Sequence, residues 1–112
     1  MKSKPQLAKE VIETLRPKFE NAVKIVALEM FDLDSVHELT PKMFDYIFAG
    51  NVGATSLTIE LDDNDFEALA KKGITRDELK SKEFLDGKTA LNALAVIEAG
   101  SKHKESTIRN VG

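Results

Sequence analysis

The chain has 112 residues, of which 42% are hydrophobic and 31% charged, and it contains no cysteine. This composition predicts one folded, soluble, cytoplasmic domain, and the lack of cysteine excludes thiol catalysis, disulfide bonds and cysteine-ligated zinc. The net charge of −3 argues against binding driven by overall charge. The apolar runs are far shorter than the roughly 18 residues of a membrane span, which argues against insertion into a bilayer.

Apolar residues recur at intervals of three and four across residues 7–30, which predicts an amphipathic helix. Ser3 and the glutamine three residues later form a capping-box pattern, so the helix is expected to begin close to Lys4. Because Pro17 removes one backbone hydrogen bond, we predict either a kinked helix or two helices that meet near Arg16. The β-branched content of residues 23–28 leaves a strand as the alternative there.

A second helix is predicted from Thr40, because threonine caps a first turn and Pro41 occupies a position whose N–H has no partner. Gly50 is expected to end this helix. Its short apolar pattern predicts a face that points into the core. The residues of that face are Met43, Phe44, Ile47 and Phe48.

A half-buried strand is predicted over residues 55–61, where apolar and polar residues alternate. One strand cannot satisfy its own backbone donors and acceptors, so it needs a partner strand. The candidates are the C-terminal tail, the region around Ile25, or the same strand in a second copy of the chain. The last possibility would make the protein an obligate dimer.

Two short helices are predicted next. Asn64 and Glu67 form a capping box at the start of the first, and Gly73 ends it. In a Schellman ending with Gly73 in the left-handed conformation, Ile74 is expected to contact Leu69. The second helix begins at Thr75 with Glu78, carries Leu79 and Phe84, and is interrupted by Asp86-Gly87.

The last helix is predicted over about residues 88–99, followed by a glycine stop. The fold class is therefore α+β and predominantly helical, with about five helices packed around a small β element. Residues 1–100 form a single globular domain, and residues 101–112 form a polar tail. A strand over residues 107–111 is the alternative for part of that tail.

Two groups of acidic residues offer metal-ligand chemistry, because carboxylates and imidazoles bind divalent cations. Neither spacing matches an established ligand pattern, and carboxylates are also favoured at helix N-termini. We therefore predict no metal site and no cofactor, and assign both groups to the starts of helices. The first group is Asp32, Asp34, His37 and Glu38, and the second is Asp62, Asp63, Asn64, Asp65 and Glu67.

Residues 69–79, with the sequence LAKKGITRDEL, are similar to the turn region of helix-turn-helix proteins, in which a small residue, a turn glycine and an apolar residue recur. Such motifs usually have three residues between the alanine and the glycine, whereas only two separate Ala70 from Gly73 here. The resemblance implies a helix facing a DNA groove, with Arg76 contacting a base. Against it, residues 31–67 carry nine acidic residues and one basic residue, which would repel phosphates. The residues placed near the groove are Thr75, Arg76, Lys80 and Lys82.

Since every candidate site has an ordinary structural explanation, we expect a small non-catalytic protein-interaction module: a regulator, inhibitor or assembly component. The long apolar face and the unpaired strand suggest that its partner is another protein, a second copy of itself, or both. The alternatives are a nucleic-acid-binding regulator and a weak divalent-metal-dependent enzyme centred on Asp32, Asp34 and His37. No membrane partner is expected. The residues assigned to the interaction face are Leu7, Val11, Leu15 and Phe19.

Overall fold

The structure, a computed structural model, describes residues 2–101 of the chain. Residues 102–112 of the predicted polar tail (101–112), with the alternative strand at 107–111, lie outside the described residues. Within 2–101 no helix is both long and apolar enough to cross a membrane. The elements are α1 (Lys4–Thr14), α2 (Arg16–Met30), a 3₁₀ turn (Val36–Glu38), α3 (Pro41–Phe48), β1 (Thr58–Glu60), α4 (Asp63–Lys71), α5 (Arg76–Ser81), β2 (Leu85–Asp86), β3 (Ala90–Asn92) and α6 (Ala93–Gly100). This architecture confirms the predominantly helical α+β fold.

The first 30 residues form two helices rather than one kinked helix. Leu15 leaves the helical conformation with φ −109° and ψ 27°, and α2 restarts at Arg16 with Pro17 in its first turn. The hydroxyl of Ser3 accepts a hydrogen bond from the backbone N–H three residues later at 3.3 Å, which confirms the predicted start of α1. Residues 23–28 are helical, so the strand alternative for them is wrong.

The apolar stripe of α1 and α2 lies in the hydrophobic core. α1 packs mainly against α6, and α2 packs mainly against α3. The four residues assigned to an interaction face are at most 4% exposed, so they contact this chain and present no free surface to a partner. Helical periodicity predicts which face of a helix is buried, but it does not indicate whether the same chain or a partner buries it. These residues are Leu7, Val11, Leu15 and Phe19.

β1 pairs with β3, a strand of the same chain that was not among the predicted partners, and the Ile25 region is helical. The three strands form an antiparallel sheet in the order β1-β3-β2, with Ile59 opposite Leu91. β3 was missed because residues 88–92 are predicted as the start of the last helix. Gly87, with φ 87°, turns the chain into a β2–β3 hairpin instead.

The start of α6 is set by Asn92. Its side-chain oxygen accepts a hydrogen bond from the Ala95 N–H at 3.0 Å, which caps the helix at its true first turn. The N–H of Ala93 bonds to the Leu57 carbonyl at 2.8 Å, so the chain passes directly from the sheet into α6. The predicted helix over 88–99 therefore begins five residues too early, and it ends one residue later than predicted, because Gly100 is the last residue of α6.

The end of α4 has the predicted Schellman geometry. Gly73 has φ 78°, and the N–H of Ile74 bonds to the Leu69 carbonyl at 3.0 Å. The predicted start is wrong by two residues, because Asp62 and Asp65 form the capping box in place of Asn64 and Glu67.

α5 ends in the same way as α4, but without a glycine. Glu83 has φ 65°, and the N–H of Phe84 bonds to the Leu79 carbonyl at 2.9 Å. Phe84 thus lies just beyond α5 and is fully buried together with Leu79. The repeated ending places an apolar residue beneath each of the two helices and joins both to the core.

Candidate interaction surface

The predicted nucleic-acid residues lie on the α4–α5 pair, but they are not all free to reach a groove of DNA. The hydroxyl of Thr75 caps α5 by accepting from the Glu78 N–H at 3.1 Å. The guanidinium of Arg76 lies 3.8 Å from the centroid of the Phe66 ring, and one of its nitrogens is 3.7 Å from a carboxylate oxygen of Asp63. Two of the four residues therefore already stabilise the helix pair.

A shallow hollow of about 170 Å³ lies between α5 and the β2–β3 hairpin. Arg76 and Lys80 line it from the helix, Lys88 lines it from the hairpin, and Asp77 contributes one negative charge. Lys82 is the C-cap residue of α5 and does not line this hollow. The structure thus brings two of the four predicted residues beside a third cation that sequence analysis did not select.

The first acidic group forms the start of the 3₁₀ turn. A carboxylate oxygen of Glu38 accepts hydrogen bonds from the N–H groups of Asp34 at 2.9 Å and Ser35 at 3.1 Å. Asp32 has φ 51° at the end of α2. Across residues 2–101, no group of three or more histidine or acidic side chains is placed to hold a metal ion.

The second acidic group joins α4 to α2 through Lys18. The ammonium group of Lys18 contacts the Asp65 carboxylate, lies 3.9 Å from that of Asp62, and donates to the Glu60 carbonyl at 3.1 Å. The hydrogen bond to Asp65 raises the pKa of Lys18. Burial raises the pKa of Asp65, but the hydrogen bonds from Lys18 and from the Asp62 N–H together lower it below its ordinary value. Asp62 and Asp65 therefore have structural partners within the fold.

A groove runs along α3 between its two neighbouring helices and the end of α6. It consists of two hollows, of about 270 and 230 Å³, which share Arg16 in their linings. We call the two together the Phe48 groove. The first hollow is lined by Arg16, Glu20, Leu39, Pro41, Phe44 and Asp45. The second is lined by Lys9, Ile12, Glu13, Arg16, Phe48 and Gly100.

Stacked aromatic rings connect this groove to the core. The Phe48 ring lies 6.4 Å from that of the fully buried Phe19 and 6.4 Å from that of Phe44, with a 23° angle between the Phe44 and Phe48 planes. The guanidinium of Arg16 lies 4.5 Å from the Phe48 centroid, and its Nε donates to the Glu20 carboxylate at 3.1 Å. The groove therefore offers aromatic carbon backed by the core and partly covered by one arginine.

The predicted inward face of α3 is only partly correct. Ile47 is fully buried, whereas Met43, Phe44 and Phe48 are half-buried. The helix has only eight residues, six of which are large apolar or proline side chains, so a single buried contact cannot cover all of them. This excess of apolar residues over one buried face is the sequence signal that identifies the groove.

Three large hydrophobic side chains within the described range are more exposed than those of the groove. Ile25 is 70% exposed, Tyr46 50% and Val36 44%. Tyr46 packs its ring against that of Phe31 at 5.9 Å. Ile25 lies on the side of α2 opposite the buried stripe that contains Val23, because it is two residues after Val23 and two residues turn a helix by about 200°. These residues are therefore not one patch, and Ile25 lies away from the Phe48 groove.

Comparisons of the chain with known protein families, with curated proteins and with solved structures found no match. The functional interpretation therefore depends on the geometry of the chain itself. Among the surfaces formed by residues 2–101, the Phe48 groove combines a concave shape, exposed aromatic carbon and charged rims. Those three properties are typical of sites that bind an apolar anchor.

Proposed function

We propose that this chain is a protein-interaction module whose Phe48 groove binds an apolar segment of a partner protein. The observation that carries the proposal is the pair of half-buried, stacked rings of Phe44 and Phe48 in a concave surface. Folding normally removes such rings from water, because each aromatic side chain buries about 150–250 Å² when enclosed. A partner side chain inserted beside them would complete that burial, as in helix-in-groove recognition.

The rim charges favour a partner segment with basic residues. Arg16 and Glu20 pair with each other at 3.1 Å, so their charges are mutually compensated. Glu13 and Asp45 remain on the rims, opposed only by Lys9, which leaves the lining with a net charge of −1. Complementary charge at a rim mainly accelerates and orients association, while the apolar centre supplies affinity.

The chemistry of the lining supports binding rather than nucleophilic catalysis. The residues that line the Phe48 groove include carboxylates, one lysine and one arginine, but no histidine and no hydroxyl side chain. Nucleophilic catalysis of the serine or cysteine type needs a hydroxyl or thiol group beside a base, and this lining provides no such group. The proposed role is therefore recognition.

The two sequence features that suggested self-association, the unpaired strand and the long apolar face, are both accounted for within the chain. β1 pairs with β3 in the same chain, and the stripe of α1 and α2 is core. The proposal therefore names a different protein as partner. Sedimentation equilibrium of the purified chain measures its mass in solution directly. A stable dimer would mean that the partner is a second copy of the chain and not a different protein.

The proposal is tested by photo-cross-linking in the cells that produce the protein. A photoreactive phenylalanine analogue replaces Phe44 in one variant and Ile25, outside the groove, in the control. We expect a discrete cross-linked protein from position 44 and none of it from position 25. The double variant Glu13→Lys, Asp45→Lys changes only exposed rim side chains and should weaken that cross-link. Equal cross-linking at both positions, or none at 44, would refute the proposal.

A second candidate function, nucleic-acid binding, is favoured by the convergence of Arg76, Lys80 and Lys88 on one hollow. Its affinity would fall steeply with salt, with a slope of at most about 3 for three phosphate contacts. Fluorescence anisotropy with a duplex measures this directly. If the double variant Lys80→Ala, Lys88→Ala binds as tightly as the natural sequence, this candidate is excluded.

A further inference from the structure

The end of α6 brings the chain to the Phe48 groove. Gly100, the last residue of α6, lines the groove beside Ile12, and Ser101 is buried with its hydroxyl donating to the Ala49 carbonyl, next to Phe48. Ser101 has φ −86° and ψ 101°, so the backbone is extended at this point. Residues 102–112 therefore start at one end of the groove.

We propose that the segment 102–112 of this chain binds in the Phe48 groove and competes there with the partner. This inference rests on the proposed function of the groove, and it names a regulator of the same site. The groove follows α3, whose eight residues span about 12 Å at 1.5 Å per residue. Ile108 is seven residues beyond Ser101, within about 25 Å of extended chain. The segment is long enough to reach every part of the groove.

The composition of the segment fits the groove. Ile108 and Val111 are its two large apolar residues, and it carries three cationic side chains against one carboxylate, with the sequence KHKESTIRNVG. The uncompensated carboxylates on the rims, Glu13 and Asp45, would oppose those cations. Ile108 is the residue that inserts beside the aromatic rings, because it is the larger apolar side chain and is followed by Arg109.

Tethering makes even weak binding effective. A segment joined by a short flexible linker has an effective concentration in the millimolar range at its site. If the free segment binds with a Kd of about 0.1 mM, the tethered segment lowers the apparent affinity of the partner about tenfold. The segment would then act as a built-in competitor that only a tight-binding partner displaces.

The test uses methyl NMR of the full-length chain, labelled at its isoleucine methyl groups. The chain has no cysteine, so Gly112→Cys provides a single position for a nitroxide spin label. We expect the label to quench the methyl signal of the nearly buried Ile12, in the groove, more strongly than that of Ile25, which is 70% exposed. The additional changes Ile108→Asp and Val111→Asp should restore the Ile12 signal.

Equal quenching of Ile12 and Ile25, or quenching that the aspartate substitutions leave unchanged, would overturn the inference. A synthetic peptide of residues 102–112, added to the Ile108→Asp, Val111→Asp chain, should shift the Ile12 methyl signal and not that of Ile25. The cross-linking at position 44 separates the two proposals. If a partner is captured at position 44 and Ile108→Asp does not change that capture, the proposed function stands and the competition by segment 102–112 is refuted. If the label quenches Ile12 selectively but no partner is captured, only the proposed function is refuted.

Discussion

Replacing Glu83 by glycine is expected to stabilise the fold. The backbone of Glu83 has φ 65°, a left-handed conformation that costs a residue with a β-carbon about 1–2 kcal/mol and costs glycine almost nothing. Glycine also gains freedom in the unfolded chain, which offsets about 0.4–1 kcal/mol of this. The net gain is about 0.5–1 kcal/mol, or a rise in Tm of about 2–6 °C for a domain of this size.

The assay is thermal unfolding followed by circular dichroism, with two matched variants. Glu83→Ala keeps the β-carbon and should not raise the Tm. Gly73→Ala makes the opposite change at the equivalent position of α4, where φ is 78° and an added β-carbon would meet no atom within 4 Å. It should therefore lose about 1 kcal/mol through the backbone alone. If Glu83→Ala stabilises as much as Glu83→Gly, or Gly73→Ala melts like the natural sequence, the reasoning is refuted.

The contact of Lys18 with Asp65 should make stability depend on pH at both extremes. Since the folded-state pKa of Asp65 is lowered, its contribution to stability is present above the ordinary value of 3.8 and is lost as pH falls through the lower folded value. Since the folded-state pKa of Lys18 is raised, its contribution to stability is present below 10.5 and is lost as pH rises through the higher folded value. Asp65→Asn should flatten the acid side of the Tm profile, and a double-mutant cycle with Lys18→Met should give a coupling of about 0.5–1 kcal/mol at pH 7; no coupling would contradict the assignment. Phe19→Ala should lower the free energy of unfolding by about 3–5 kcal/mol in urea titrations, whereas Ile25→Ala should change it by less than about 0.5 kcal/mol. Gly100→Ala should raise the free energy of unfolding by about 0.5 kcal/mol, and the Tm with it, because its β-carbon would meet Ile12 at an ordinary 3.5 Å. A lower Tm would show that the helix end cannot accept a side chain.

Local signals in the sequence predicted several of the helix boundaries correctly. Ser3, Thr40 and Thr75 cap helices because a hydroxyl needs only the N–H groups of the next turn. Gly73 ends α4 because the left-handed conformation is a property of one residue. These features need no information from distant parts of the chain, so one sequence suffices to predict them.

Features decided by distant contacts were mispredicted. Ala90 and Leu91 are good helix formers, but backbone bonds to β1, about 30 residues earlier, make residues 90–92 a strand. Two overlapping capping boxes compete at the start of α4, and Lys18 of α2 contacts the one that forms, at Asp62 and Asp65. The same limitation applies to the candidate site. The pattern of α3 shows which residues are apolar, but the positions of Arg16 and Gly100 decide how much of Phe48 remains exposed.

Lys18 affects the exposed edge of the β-sheet, where a strand of another molecule could pair. β1 is at the edge of the sheet formed by the described residues, and the Glu60 carbonyl points away from β3, since the N–H of the next residue bonds to the Thr89 carbonyl at 2.9 Å. An incoming strand from another molecule would hydrogen-bond at this edge, but the ammonium of Lys18 already occupies that carbonyl. Charged lysines and short strands at sheet edges suppress such strand addition and the amyloid-type aggregation that follows from it. The contact of Lys18 with the Glu60 carbonyl therefore disfavours the addition of a strand from another molecule to β1.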